Sequence, residues 1–341
     1  VRRTYLDHAS TTPPRPEVLA ALTRWMALPA ADPGRLHTEG RIVRDALEEA
    51  RQQVAAFVGA TPREVVFTSG GTEAINAAVW GATRQRPGAP VLFADVEHSA
   101  VREASSRSAP VEVIPVDTEA RIDAGALESR LAAHSLPRAA LVHCQWANHE
   151  VGTLQPVHEI VGLPGAGALV IRRGSRFEPL IVGGEQERAR RGGLEAIPAL
   201  LGFGAAAAAL GADGARLLHL EADRAGGYLA ALSSSATEVE GVEVVGPRRP
   251  DQRLPSLLCL GVHGVEAEPV LIGLDRAGVA VHSGSACSSE SIEPSPVLEA
   301  MGVDASHSLR VSVGWSTTED DVAAFGTAFA EVVAGLRALR G

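Results

Sequence analysis

Cysteine occurs three times in the 341 residues, at Cys144, Cys259 and Cys287, and the three keep different company. Cys287 lies in the run Ser283-Gly284-Ser285-Ala286-Cys287-Ser288-Ser289. Small polar neighbours leave its sulfur exposed and let the backbone carry it over a distance. Such a thiolate is a candidate nucleophile, and an incidental surface thiol is the plain alternative. Cys259, inside Leu257-Leu258-Cys259-Leu260, and Cys144, on an expected strand, read as core fillers. A second candidate is the turn Phe67-Thr68-Ser69-Gly70-Gly71-Thr72-Glu73. Two glycines and hydroxyl side chains between a strand and a helix leave free backbone N–H groups at a positive helix end, a place for a phosphate. The turn lacks the lysine of a P-loop and the spacing of a dinucleotide fingerprint, so an ordinary glycine turn with a threonine cap stands beside that reading.

These residues need elements to hold them. Apolar residues at helical spacing over 47–58 and 72–82 predict helices on either side of a short β-branched run at 65–67. Strands are expected at 91–93, 111–114 and 140–143, with helices over 100–106 and 124–133. That alternation implies an α/β fold with a mostly parallel sheet covered on both faces. Glu97-His98 follows one strand, and Asn148-His149-Glu150-Val151-Gly152 follows another. Ligands of such sheets lie beyond the C-terminal strand ends, so these clusters and the glycine turn converge on one crevice. A helix is expected at 156–161 and a long helical tract over 198–232. Strands at 242–245 and 256–260, with helices at 266–276 and 318–339, then suggest a second, smaller α+β domain.

Composition narrows the chemistry. With 45% hydrophobic residues and 35 glycines, the chain reads as a globular protein of one large or two moderate domains. No apolar run approaches the roughly 18 residues of a membrane span, and residues 1–4 lack a signal-peptide core, so a cytoplasmic protein without a membrane partner is expected. The cysteines have neither paired nor metal-ligand spacing, which supports neither a disulfide framework nor a metal site. A net charge of -10 argues against direct nucleic-acid binding, because that needs clustered cations. All 31 basic residues are arginine: the chain has no lysine.

Taken in order, several motifs resemble cysteine desulfurases: Tyr5-Leu6-Asp7-His8-Ala9-Ser10-Thr11-Thr12-Pro13, the turn at 68–73, Glu97-His98, and Asn148 to Gly152 with Gln155-Pro156. Further on come Gly183-Gly184-Glu185-Gln186-Glu187-Arg188, the Cys287 loop continuing to Glu293-Pro294-Ser295, and Leu309-Arg310-Val311-Ser312. The long loop with Gly-Ser-Ala-Cys is similar to the subgroup typified by the nitrogenase and housekeeping iron–sulfur enzymes. The resemblance implies a fold-type I transferase using pyridoxal phosphate (PLP), usually a homodimer, that converts L-cysteine to L-alanine and keeps the sulfur as a persulfide on Cys287 for an acceptor protein. It also implies roles. Gly71 and Thr72 would hold the cofactor phosphate, and His98 would stack on the pyridine ring and move protons. Asn148 would bond the cofactor's phenolic oxygen or the substrate, with a plain Asx turn as its alternative. Arg310 would clamp the substrate carboxylate in a bidentate fork. The implied layout is a large domain over 14–212 and a small domain made of 1–13 and 213–341.

The resemblance leaves a gap. Two further strands, one with an Asp for the pyridine nitrogen and one ending in the Schiff-base Lys, are expected between Leu163 and Pro164, about 35–40 residues that the chain does not show. Deleting two central strands would leave sheet backbone unpaired, so the segment is expected to be present but unseen. Leu194 stands where the family usually has a hydroxyl reaching the neighbouring subunit's phosphate, and Pro296 where it has an aromatic or His. Two alternatives remain: a related PLP lyase or aminotransferase, which needs no thiol on a mobile loop, and a lysine-free scaffold for a sulfur acceptor, which needs no substrate clamp. Sulfur could go to iron–sulfur assembly or to nucleic-acid thiolation, including DNA phosphorothioation, where the acidic charge implies that a protein partner touches the DNA.

Overall fold

The computed structural model describes residues 3–27, 31–157, 169–211, 216–283 and 294–339. After β1 (Thr4–Tyr5), α1 (Pro16–Met26) and α2 (Thr38–Phe57), strand and helix alternate as β2 (Val65–Val66), α3 (Gly71–Gln85), β3 (Val91–Ala94), α4 (Ser99–Ser108), β4 (Val111–Ile114), α5 (Ala124–Ala132) and β5 (Leu141–His143). The expected α/β pattern is therefore present. Strand β3 lies between β4 and β5, parallel to both, with Val91 opposite Val111 and Leu141. All four of its residues are buried. Period-two alternation sends Val91 and Phe93 to a cluster with Val101 of α4, and Leu92 and Ala94 to another with Ile114, Val151 and Cys259.

This sheet does not continue. Strand β2 pairs antiparallel with β6 (Leu169–Val170), and among the described residues no strand joins β6 to β5. The sequence runs from Leu163 directly to Pro164. The two strands expected between these residues are not found, and among the described residues the sheet stands in two pieces. Residues 158–161 of the helix expected at 156–161 lie outside the described residues.

The tract expected as one helix over 198–232 is two, α6 (Ile197–Gly211) and α7 (Arg216–Thr237). The sequence between and beside them, Gly211-Ala212-Asp213-Gly214, holds two glycines and an aspartate, all poor helix formers. Helix α6 packs on α2 at close range, where a Cβ on Gly204 would come 2.7 Å from Ala50 Cβ, so only glycine allows this approach.

The C-terminal third builds a second sheet, in the order β10 (His282–Ser283), β11 (Ser308–Ser312), β8 (Leu257–Val262), β7 (Val242–Val245), antiparallel throughout. Helices α7, α8 (Ala267–Arg276) and α10 (Glu319–Ala338) contribute Leu229, Leu232, Val270, Leu274, Phe325 and Phe329 to a core with Leu258, Leu260, Leu309 and Val311 of the sheet. The N-terminus joins this unit: β1 runs parallel to β9 (Val279–Ala280), and Asp7 bridges to Ser312. Short helix α9 (Pro296–Ala300) begins with Pro296 at its first turn, where the missing N–H costs nothing.

Candidate active site

The glycine turn joins β2 to α3. Gly70 is the N-cap in an extended conformation, and nothing lies within 4 Å of where a Cβ on Gly70 or Gly71 would stand. The turn is thus uncrowded around both glycines, at the helix end whose first N–H groups can take an anion. Glu73 accepts from Ser69 N (2.9 Å) and pairs with Arg191 at 2.9 Å. Thr72 and Asn76 line a cleft of about 360 Å³ together with His98, Ser99, Glu103 and Arg107. Two expected site residues, Thr72 and His98, therefore meet across one cavity.

His98 caps α4, its Nδ1 accepting from Ala100 N at 3.1 Å, and burial lowers its pKa, which keeps the ring neutral at pH 7. Its ring centroid is 5.0 Å from that of His149. Burial, then the charges of His98 and Arg310, hold His149 down to about 4. Glu97 is buried, accepts from Gln145 N at 2.6 Å, and is pushed up by burial to about 7.

Asn148 is fully buried. Its Oδ1 accepts from Glu150 N (2.8 Å) and Val151 N (2.9 Å), and its Nδ2 donates to Val96 O (3.2 Å). The side chain thus does what an Asx turn does, fixing the loop that carries His149 and Glu150. One amide hydrogen is left without a partner among the described residues.

Arg310 rises from β11 with its side chain 4% exposed. Nη2 donates to Asp7 Oδ1 (3.0 Å), Nη1 donates to His149 O (3.2 Å), and Nε is buried with no partner among the described residues. Cys287 lies outside the described residues, but both flanks of its loop are placed. On one side β10 pairs with Leu309 and Arg310. On the other, Ser295 caps α9 and its hydroxyl donates to buried Glu150, whose pKa burial pushes up to about 7. The other two thiols are inert: burial raises Cys144 to about 11 and Cys259 to about 12. Leu194 is 61% exposed and has no group to donate. Among the described residues no cluster of His, Cys, Asp and Glu could hold a metal ion.

The sequence motifs contained Asp7, His149 and Glu150 without a role for them. Asp7 and Arg310 are 303 residues apart, so their ion pair could not be read from local spacing.

The glycine turn after β2 and the capping imidazole after β3 lie at strand ends of the α/β unit, where such folds bind ligands, with a guanidinium supplied by the second sheet. The profile of the family Aminotransferase class-V matches residues 4–163 and 157–325, so the chain belongs to this family. Within it the chain groups with the PLP-dependent cysteine desulfurases. It is 34% identical to a cysteine desulfurase of Cereibacter sphaeroides, covering 99% of this chain and 98% of that one. A solved NifS-like protein superposes with TM-score 0.85 at 24% identity, over 98% of this chain and all of the other. DndA from Streptomyces lividans superposes with TM-score 0.70 at 29% identity, over 91% and 99%. The Cereibacter match runs over 391 residues, 50 more than this chain has. The family match divides at 157–163, next to the break in the sheet.

PLP is the cofactor of this family, and the residues fit it unequally. The uncrowded turn at the α3 N-terminus suits the phosphate, and the Arg310 Nε, without a partner among the described residues, suits an amino-acid carboxylate. No lysine exists to bond the cofactor covalently.

Proposed function

We propose that this chain is the cysteine desulfurase its family indicates, with L-cysteine held at Arg310 and its sulfur accepted by Cys287. The carrying observation is the buried Nε of Arg310, without a partner among the described residues, beside two Nη groups already oriented by Asp7 and His149. A substrate carboxylate completes that fork. PLP, when bound, supplies the electron sink that loosens bonds at the substrate's carbon atoms. Gly71 and Thr72 would hold its phosphate, Asn148 fixes its own loop and would offer its remaining amide hydrogen to the cofactor or substrate, and neutral His98 would stack on the cofactor and accept or return a proton. The Cys287 thiolate attacks the substrate sulfur. An S–S bond forms, the C–S bond breaks, and its electron pair stays on the substrate carbon, which takes a proton to give alanine. A long loop suits a sulfur that must meet substrate in the cleft and an acceptor protein outside it.

The same reading gives a homodimer in the cytoplasm, with a large domain over 14–212, a small domain of 1–13 and 213–341, and two central strands lacking between Leu163 and Pro164. No single helix among the described residues is long and apolar enough to cross a membrane. The outlets are iron–sulfur assembly or nucleic-acid thiolation, DNA phosphorothioation included, with the acceptor protein rather than this acidic chain touching any nucleic acid.

The absence of lysine favours a second reading, a non-catalytic scaffold for the acceptor. Incubation with added PLP and L-cysteine separates the two. The desulfurase yields alanine and a persulfide mapped by mass spectrometry to Cys287, both lost or displaced in Cys287→Ser. The scaffold yields neither. Sulfide release by Cys287→Ser at the wild-type rate would remove Cys287 from the reaction.

A further inference from the structure

The segment 183–193 contains three consecutive non-glycine residues in the left-handed region, Glu187 (φ 49°), Arg188 (φ 58°) and Ala189 (φ 59°). L-residues adopt this conformation singly and at a cost, so a run of three persists only where surrounding contacts dictate it. Those contacts lead to the anion turn. The Glu187 side chain has no exposed surface, and its carboxylate takes both arms of the Arg51 guanidinium at 2.7 Å each. Oε2 also accepts from Phe67 N at 2.8 Å, the residue that enters the turn. Arg51 itself is 3% exposed, donates to Val65 O (3.1 Å), and lies 4.6 Å from the Phe67 ring centroid. Four residues further on, Arg191 holds Glu73, which accepts from Ser69 N inside the turn. Gly192 lets the segment fold on itself, since a Cβ there would come 2.9 Å from Gly183 N.

We propose that Glu187 and Arg191 are positioning residues that clamp the turn at Phe67 and Ser69, fixing the direction of the α3 N–H groups toward the cofactor phosphate. A buried, doubly hydrogen-bonded ion pair is a costly way to stabilise a fold. Here it holds the one backbone N–H that sets where the turn begins. A loop of glycines and hydroxyls has many conformations, and an anion site made of backbone donors binds only when they converge. The inference rests on the reading that this turn takes the phosphate.

The test compares equilibrium binding of pyridoxal 5′-phosphate with that of pyridoxal, which lacks the phosphate. Wild type should favour the phosphorylated form at least about tenfold, the worth of one charge-assisted hydrogen bond. Glu187→Gln should weaken pyridoxal 5′-phosphate by roughly ten- to a hundredfold and leave pyridoxal within about twofold. Arg191→Gln, on the more exposed tether, should act in the same direction by less, and it decides the matter if Glu187→Gln fails to fold. A variant that melts earlier yet keeps the wild-type ratio, or loses both ligands equally, overturns the positioning role while leaving the phosphate site standing. A wild type indifferent to the phosphate overturns both.

Discussion

The sheet of the C-terminal unit and the strands of the larger unit differ in closure. In β10-β11-β8-β7 the strands hydrogen-bond in one array, and every residue of β8 and β11 is buried. In the larger unit β2-β6 and β4-β3-β5 are separate, β3 is buried throughout, and β5 and β6 are half-buried. On β5, His143 carries a buried Nε2 with no partner among the described residues, and burial holds its pKa down to about 4. The closed sheet carries Arg310, proposed above to hold the substrate carboxylate. The open one leads into the turn proposed for the cofactor phosphate, and the chain has no lysine.

Hydrogen exchange breaks or sharpens that contrast with the largest effect. Amides of β8 and β11 should exchange only through global opening, and those of β5 and β6 through local opening at least about a hundredfold faster. Equal protection would mean that the two pieces are joined after all. Arg310→Ala should weaken L-cysteine binding by about 2–5 kcal/mol, since the substrate carboxylate would then be buried without its charged partner. An unchanged affinity would take Arg310 out of the site.

Glu150 ties the two units together through Ser295, and burial raises its pKa from 4.5 to about 7. A raised carboxyl stabilises the fold most below its unfolded pKa and loses that contribution as pH rises through 7. Glu150→Gln should therefore gain on wild type from pH 4.5 to 7, by up to about 3 kcal/mol, in denaturation curves across that range. The depressed His149 slopes the other way, so the difference between variant and wild type is the quantity to read. Smallest is Thr318→Ala in the closed unit, which removes the capping box of α10 and should cost about 1 kcal/mol without altering cysteine affinity.

Much of this was legible in local pattern. The strand at 111–114 and that at 242–245 match their apolar runs residue for residue, and α4, α5 and α8 differ from expectation by one or two positions. Short strands such as β1, β9 and β10 carry too few residues for a period, and tertiary pairing alone defines them. The sequence singled out Thr72 and His98, which line one cavity, and Arg310, which is buried, because their residue types suit phosphate, proton and carboxylate. Asp7 and Glu187 were not legible, because each acts on a partner more than a hundred residues away. The break in the sheet was visible in the sequence as a shortage of strands between Leu163 and Pro164.

The most direct measurement is borohydride reduction of the purified 341-residue chain saturated with PLP, followed by dialysis and peptide mass mapping. The account predicts that PLP dialyses away and no internal peptide carries a phosphopyridoxyl group, because the chain has no lysine amine to reduce onto. A stoichiometric label on an internal peptide would contradict it.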